Sequence, residues 1–244
     1  MENSLYVGLS RQLVLDHAMT LVSNNVANAN TPGYRAQNPL FQEYIAKSQG
    51  YSGQDPLSMV YDEGQYDTVS AGPVQFTGGT YDLALNGPGF FEVTAPSGET
   101  QYTRAGNFTV NNNNELVTAA GFKVAGPGGG AIAIPPGAKD LVVTAAGEVT
   151  ADGNVIGRIG IVEFDNVQDL TPEGNGLYSS KNPGVAAIDT TVKQGALEGS
   201  NVNSVQEMTR MIDILRTYQS TMNMIKNEHD RQMGMIDKLG SANG

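Results

Sequence analysis

From Met208 to Leu239 the residues of one helical stripe follow one another by alternating steps of four and three. They are Met208, Met211, Leu215, Tyr218, Met222, Ile225, His229, Gln232, Ile236 and Leu239. This is a heptad seam with only two polar entries, and it predicts a helix near residues 203–239, roughly 55 Å long at 1.5 Å per residue. The flanks carry salt-bridge spacing, Lys226 to Asp230 and Glu228 to Arg231, which adds modest support. A helix of that length is too long for one small domain to cover, so much of the seam needs another partner. Met208, Met211 and Met222 suit a core or an interface equally well, because methionine fills irregular gaps. The unbroken heptad favours packing between subunits.

A second amphipathic helix is expected over residues 3–30. Leu5, Leu9 and Leu13 recur every fourth residue, and Val14, Ala18, Leu21, Val22 and Val26 carry the stripe onward. Asn28, Asn30 and Thr31 weaken the end and Pro32-Gly33 stops it. Asn24, Asn25 and Asn28 are poor helix formers crowded into the last turns. They are either solvated amides at a frayed end or hydrogen-bonding groups for neighbouring subunits. The two helices sit at opposite ends of the chain and can pair, but two stripes do not cover each other over roughly 55 Å.

The middle has a different character. Short apolar pieces at 81–85, 90–93, 108–110, 122–124, 132–134, 141–144, 155–156 and 159–164 are separated by turn signals at 86–89, 96–98, 111–114, 126–130 and 152–154. Strands recurring at this interval without helical stretches predict a sandwich or irregular barrel. Most of the 30 glycines fall here, as tight turns require. Residues 36–73, with Gly50, Gly53, Gly64 and Gly72 among polar residues, read as an extended connector to which no regular structure is assigned. The expected fold class is therefore α+β. Residues 1–35 and 201–244 pair as a coiled-coil-like assembly domain, 36–73 connect, and 74–200 form an inserted all-β domain.

Charge follows the same division. The formal net is −11 over 244 residues, yet residues 1–40 and 201–244 each sum to zero, leaving eighteen acids and seven bases in 41–200. That balance argues against nucleic acid, whose phosphates need Lys and Arg, and against an anionic membrane surface. No apolar run approaches the roughly 18–20 residues of a spanning helix, so no membrane insertion is expected. With no cysteine there is no thiolate metal site, cysteine nucleophile or disulfide. Residues 1–30 lack a basic n-region, and Arg11 and Asp16 interrupt any apolar core, so no cleaved signal peptide is expected.

Catalytic chemistry finds little support. His17 and His229 stand on predicted helices without further metal ligands at helical spacing, and His229 occupies a seam position where a polar residue sets register. Gly126-Pro127-Gly128-Gly129-Gly130 precedes a strand rather than a helix and lacks the Lys-Ser/Thr of a phosphate loop, so it reads as a turn. The acid pairs Asp62-Glu63 and Glu163/Asp165 arise readily among so many carboxylates, and no Gly-x-Ser-x-Gly element is present. No catalytic residue, cofactor or metal is expected.

Several stretches resemble a known family. Asn24-Asn25-Val26-Ala27-Asn28-Ala29-Asn30-Thr31-Pro32-Gly33-Tyr34-Arg35 resembles the N-terminal signature of flagellar rod and hook proteins. Asp82-Leu83-Ala84-Leu85-Asn86-Gly87-Pro88-Gly89-Phe90-Phe91 and Tyr102-Thr103-Arg104-Ala105-Gly106-Asn107-Phe108 resemble the family's β-domain motifs. The helix around Glu198 to Tyr218, opening Gly199-Ser200-Asn201-Val202-Asn203, is similar to its C-terminal block. The opening Met1-Glu2-Asn3-Ser4-Leu5-Tyr6-Val7-Gly8-Leu9-Ser10 and the modest length are most similar to proximal-rod members. The resemblance implies a structural, non-enzymatic subunit of the flagellar basal body, exported through the flagellar type III apparatus without a cleaved signal. It would then assemble with proximal and distal rod subunits into the torque-transmitting rod that crosses the periplasm. The expected subunit contacts are Leu5, Leu9, Leu13, Asn24, Asn25 and Asn28 at one end, with Met211, Leu215, Tyr218, Met222 and Ile225 at the other. Terminal helices that find full cover only in the array are expected to be loose in the monomer. Three rival readings are a distal-rod subunit, a ligand-binding module using a pocket in the β domain, and an adaptor whose helices pair with an unrelated coiled coil.

Overall fold

The computed structural model describes residues 2–46, 57–138 and 140–241. Gly50 and Gly53 of the expected connector, and the side chain of Leu239, lie outside the described residues. The fold is α+β and divides into two units: residues 1–27, 37–68 and 203–244 form the first, and residues 28–36 and 69–202 the second.

In the first unit, helix α1 (Glu2–Ala27) packs against helix α2 (Ser204–Ser241). The pairing is antiparallel: a Cβ on Gly8 would stand 2.9 Å from Ile225, Gln12 Nε2 donates to Tyr218 Oη at 2.8 Å, and Asn25 Nδ2 donates to Glu207 Oε2 at 3.1 Å. Gly8 leaves room for the Ile225 side chain. α1 ends three residues earlier than expected, because Asn28–Asn30 turn instead of continuing. α2 begins where Asn203 Oδ1 accepts from Gln206 N at 3.2 Å, an N-cap, and Glu207 in its first turn suits the helix dipole.

The expected connector needs correction. Residues Gln37–Ala46 (β1) and Leu57–Asp67 (β2) pair antiparallel as a hairpin that packs on α1, with a register shift at Leu40/Phe41. The glycines and polar residues drew the sequence reading away from Phe41, Tyr44, Ile45, Val60, Tyr61 and Tyr66, which are strand-forming types. These side chains are exposed, so no alternation of buried and polar positions marks the strands.

The second unit is a set of small open sheets, not a closed barrel. Its main sheet runs in the order 170–174, 177–180, 100–103, 90–94, 123–124, 116–117 and 109–110. Ile161–Glu163 pairs with Phe90–Thr94 on one side and with Val185–Ala186 on the other. Leu141–Val143, Glu148–Ala151 and Asn154–Arg158 form a separate meander. Thr191–Gln194 and Ala196–Glu198 return along Leu83–Asn86 and Val74–Phe76. Leu83, Phe91, Phe108, Val124, Val149 and Ile159 belong to one buried core, and Phe90, Tyr102, Leu170 and Tyr178 to a second. Asp152-Gly153 and Asn175-Gly176 turn with both residues at positive φ, the geometry of tight hairpins. The predicted strand at 132–134 is only a pair of isolated bridges, at Ala131 and Ala133, that buries Ile132 and Ile134.

Candidate functional site

Helix α2 carries two heptad seams. Glu207, Met211, Ile214, Tyr218, Thr221, Ile225, Glu228, Gln232 and Met235 are buried or half-buried, by steps of four and three. Beside them Val205, Met208, Ile212, Leu215, Met222, Met233 and Ile236 are exposed, on a second stripe of the same period completed by Gln219, Lys226 and His229. The seam read from the sequence straddles this border: Met211, Tyr218, Ile225 and Gln232 lie on the covered stripe, Met208, Leu215, Met222, His229 and Ile236 on the open one. Periodicity alone does not separate adjacent stripes on one helix, because both repeat every seven residues. The covered stripe includes Glu207, Thr221, Glu228 and Gln232, whereas the open one is predominantly Val, Met, Ile and Leu. The more apolar stripe is the one left open.

α1 divides similarly. Gly8, Val14, Ala18, Leu21, Val22 and Asn25 are buried, while Tyr6, Leu9 and Leu13 are exposed, Leu13 by 64%. Leu5 and Asn28 are half-buried and Asn24 is exposed. Asn25 has partners within its own chain. It is fully buried, its Nδ2 donates to Gln37 O at 2.9 Å and to Glu207 Oε2, and its Oδ1 accepts from Gln37 N at 2.9 Å. The amide behaves as one more strand partner for Gln37. These bonds lie within its own chain.

Sequence reasoning missed a buried junction in the second unit. Arg104 is completely buried; its Nη1 donates to Gly87 O at 2.9 Å and to Gly89 O, and its Nη2 lies 2.6 Å from Glu198 Oε2. Glu198 Oε1 accepts from Gly72 N, and Glu198 O accepts from Gly33 N. The Arg35 and Arg104 guanidiniums both stand over the Phe90 ring, 5.2 and 5.7 Å from its centroid, and Arg35 Nη1 donates to Val69 O at 3.0 Å. Asn201 completes the set, Oδ1 accepting from Ala36 N and Nδ2 donating to Ser70 O. Burial pulls the Arg104 guanidinium below its ordinary value, Glu198 opposing and Arg35 adding to the shift. Close approach fixes the glycines here: a Cβ on Gly33 would stand 2.4 Å from Ala105 N, and one on Gly72 1.9 Å from Gly199 O. Arg35, Gly87, Arg104 and Glu198 come from the four stretches that carried the family resemblance. The available signal was their residue type, an arginine or glutamate inside an otherwise apolar or glycine-rich motif.

His17 and Glu163 have structural partners. His17 Nδ1 lies 2.6 Å from Asp62 Oδ2 on β2, and His229 is exposed. Glu163 Oε1 accepts from Thr190 Oγ1 at 2.6 Å, and that bond holds its carboxyl below the ordinary range. Gly126 N donates to Gly130 O at 2.7 Å, closing the glycine-rich segment as a turn. No group of three His, Cys, Asp or Glu side chains that would hold a metal occurs among the described residues. No described helix is long and apolar enough to cross a membrane.

Paired terminal helices, one with an open apolar seam, and a β unit inserted between them in the sequence fit a structural protein of the axial kind. Three family models match in order: "Flagella basal body rod protein" at residues 5–35, "Flagellar hook protein FlgE/F/G D1 domain" at 84–151, and "Flagellar basal body rod FlgEFG protein C-terminal" at 193–236. The flagellar basal-body rod protein FlgF of Caulobacter vibrioides is 39% identical over the whole of both chains. FlgF of Mesorhizobium japonicum is 32% identical over 99% of each, and the rod protein FlgG of Bacillus subtilis 34% identical over 92% of this chain and 94% of its own. The chain belongs to the flagellar basal-body rod family and is a non-catalytic structural subunit.

Proposed function

We propose that the chain is a proximal-rod subunit that polymerises through its terminal helices into the axle transmitting torque across the periplasm. The observation that carries this reading is the open seam of α2, together with exposed Tyr6, Leu9 and Leu13 on α1. A row of apolar side chains at heptad spacing is a helix-docking surface, and its exposure in a lone chain leaves burial to be gained on assembly. A heterologous contact of this kind generates a helical array. Leu5, Leu9, Leu13, Asn24 and Asn28 on α1 and Leu215 and Met222 on α2 are the proposed subunit contacts. Met211, Tyr218 and Ile225 lie at the edge of that surface and serve chiefly to hold α1. Other rod subunits and the flagellar type III export apparatus are the proposed partners, with export preceding assembly and no signal cleaved. Resemblance to FlgF over the full chain supports the proximal position.

Leu215→Asp with Met222→Asp tests the seam: basal bodies should lack the chain and cells should be non-motile, while the purified variant keeps its monomer melting profile. A motile double variant sinks the reading. The second reading is a distal-rod placement, which the 34% identity to B. subtilis FlgG supports. Crosslinking in isolated basal bodies separates the two by whether proximal or distal components are captured.

A further inference from the structure

The second unit has a cleft of about 610 Å³ on the sheet face where Phe90–Thr94, Ile161–Glu163 and Val185–Ala186 run side by side. Its lining is mostly apolar, with Ile159, Ile161, Val162, Ala187 and Ile188, and Ile188 stands 86% exposed at the rim. One carboxylate enters it, that of Glu92. Gly160 makes room for this group, since a Cβ there would stand 3.0 Å from Glu92 Oε2. No described residue forms an ion pair with Glu92, and burial alone pushes its carboxyl above the ordinary value. Arg158 also lines the cleft, but its Nε is tied to Ala146 O at 3.0 Å and it does not pair with Glu92. A carboxylate held in an apolar cleft without a partner costs stability that a cationic ligand would restore.

We propose that this cleft receives a lysine or arginine side chain of a neighbouring polypeptide, its aliphatic stem along Ile161, Val162 and Ala187 and its cation on Glu92. A purely apolar occupant would leave the carboxylate uncompensated, and an anion would be repelled by it. A metal ion would need further oxygen ligands, and no such cluster exists among the described residues. Thirteen acids against seven bases in residues 28–36 and 69–202 draw a basic partner toward this unit. Exposed Ile188 at the rim suits the desolvated edge of a protein contact. The site is distinct from the helical seam and stands or falls separately from it.

Titration of the ¹⁵N-labelled full chain with n-hexylammonium, followed by amide shifts, is the direct test. Saturable shifts confined to Gly160, Ile161, Ala187 and their neighbours are expected, with affinity at least tenfold weaker for n-hexanol and for Glu92→Gln. Glu92→Gln should also raise the thermal midpoint of the free chain at neutral pH, since it removes a half-buried charge that has no ion-pair partner among the described residues. Equal binding by hexanol or by Glu92→Gln overturns the proposal, as does the absence of a saturable shift up to about 50 mM probe. In assembled basal bodies, a photoreactive residue at position 187 should crosslink a peptide containing Lys or Arg, and Glu92→Gln should abolish that product. A crosslinked peptide without either base, or one unchanged by the substitution, would equally overturn it.

Discussion

Asn25 illustrates how one residue type supports opposite readings. An asparagine near a helix end is solvated by default, and its poor helix propensity points outward. In the fold its amide is wholly enclosed and bonds to both backbone groups of Gln37. Asn25→Leu removes those bonds while leaving Gln37 N–H and C=O without their partner, so the expected cost is about 1–3 kcal/mol, read from urea unfolding of the full chain. Arg104 makes the corresponding case in the second unit. Arg104→Met leaves Glu198 buried without its counter-charge and should cost about 3–5 kcal/mol, whereas combining it with Glu198→Gln should cost clearly less than the sum of the two single changes. Thermal unfolding of the four variants checks this; strict additivity would show that the ion pair carries no coupling.

At the level of elements, α2 was legible in its period and length but not in its orientation. Both stripes satisfy the heptad rule, and which one faces α1 depends on Gly8, Gln12 and Asn25 on the partner helix, with Gln12 206 positions from Tyr218 and Asn25 182 from Glu207. The close approach at Gly8 yields its own prediction. Gly8→Val pushes a branched side chain into Ile225 and should destabilise the helix pair by about 1–3 kcal/mol, with Ile225→Ala recovering part of the loss, as helical circular dichroism against temperature would report. The hairpin β1–β2 was missed for a related reason. Its strands bury little, so alternation, the usual signature of a half-buried strand, is absent, and pairing and contact with α1 decide the conformation instead.

For the whole molecule, the boundary between units is the main revision to a division made at residues 35 and 201. Those cuts pass through the junction and discard Gly33, Arg35 and Asn201. Because Ala36 and Ser70 are both held by Asn201, residues 37–68 can be replaced by a short Gly/Ser linker. A chain of 28–36, linker and 69–202 should melt as one cooperative unit; starting at 36 and ending at 200 should lower its stability by several kcal/mol. Equal melting of both would remove the junction's structural role. Acid provides a further check across both units. Lys123 holds the Glu115 carboxyl below its ordinary value of 4.5, as Thr190 does for Glu163 and Arg231 for Glu228. Depressed values mean stability that is present above about 4.5 and lost as pH falls through the lower folded values. Glu92 has the opposite sign, its contribution being favourable in acid and lost as pH rises through its raised value. Stability should therefore fall below about pH 4.5 in the native chain, and Glu92→Gln should gain most at neutral pH.

The sequence by itself determined the two terminal helices, the glycine-punctuated β region between them, the absence of cysteine chemistry and the confinement of negative charge to the middle. These are local or compositional properties, set by periodicity, turn residues and counts. Only the tertiary structure decided which stripe of α2 is open, that Asn25 points inward, that Gln37–Ala46 pairs with Leu57–Asp67, and that Arg35, Gly87, Arg104 and Glu198 meet. Each of those outcomes depends on a partner distant in sequence, and burial assigns the partners only once the chain has closed on itself.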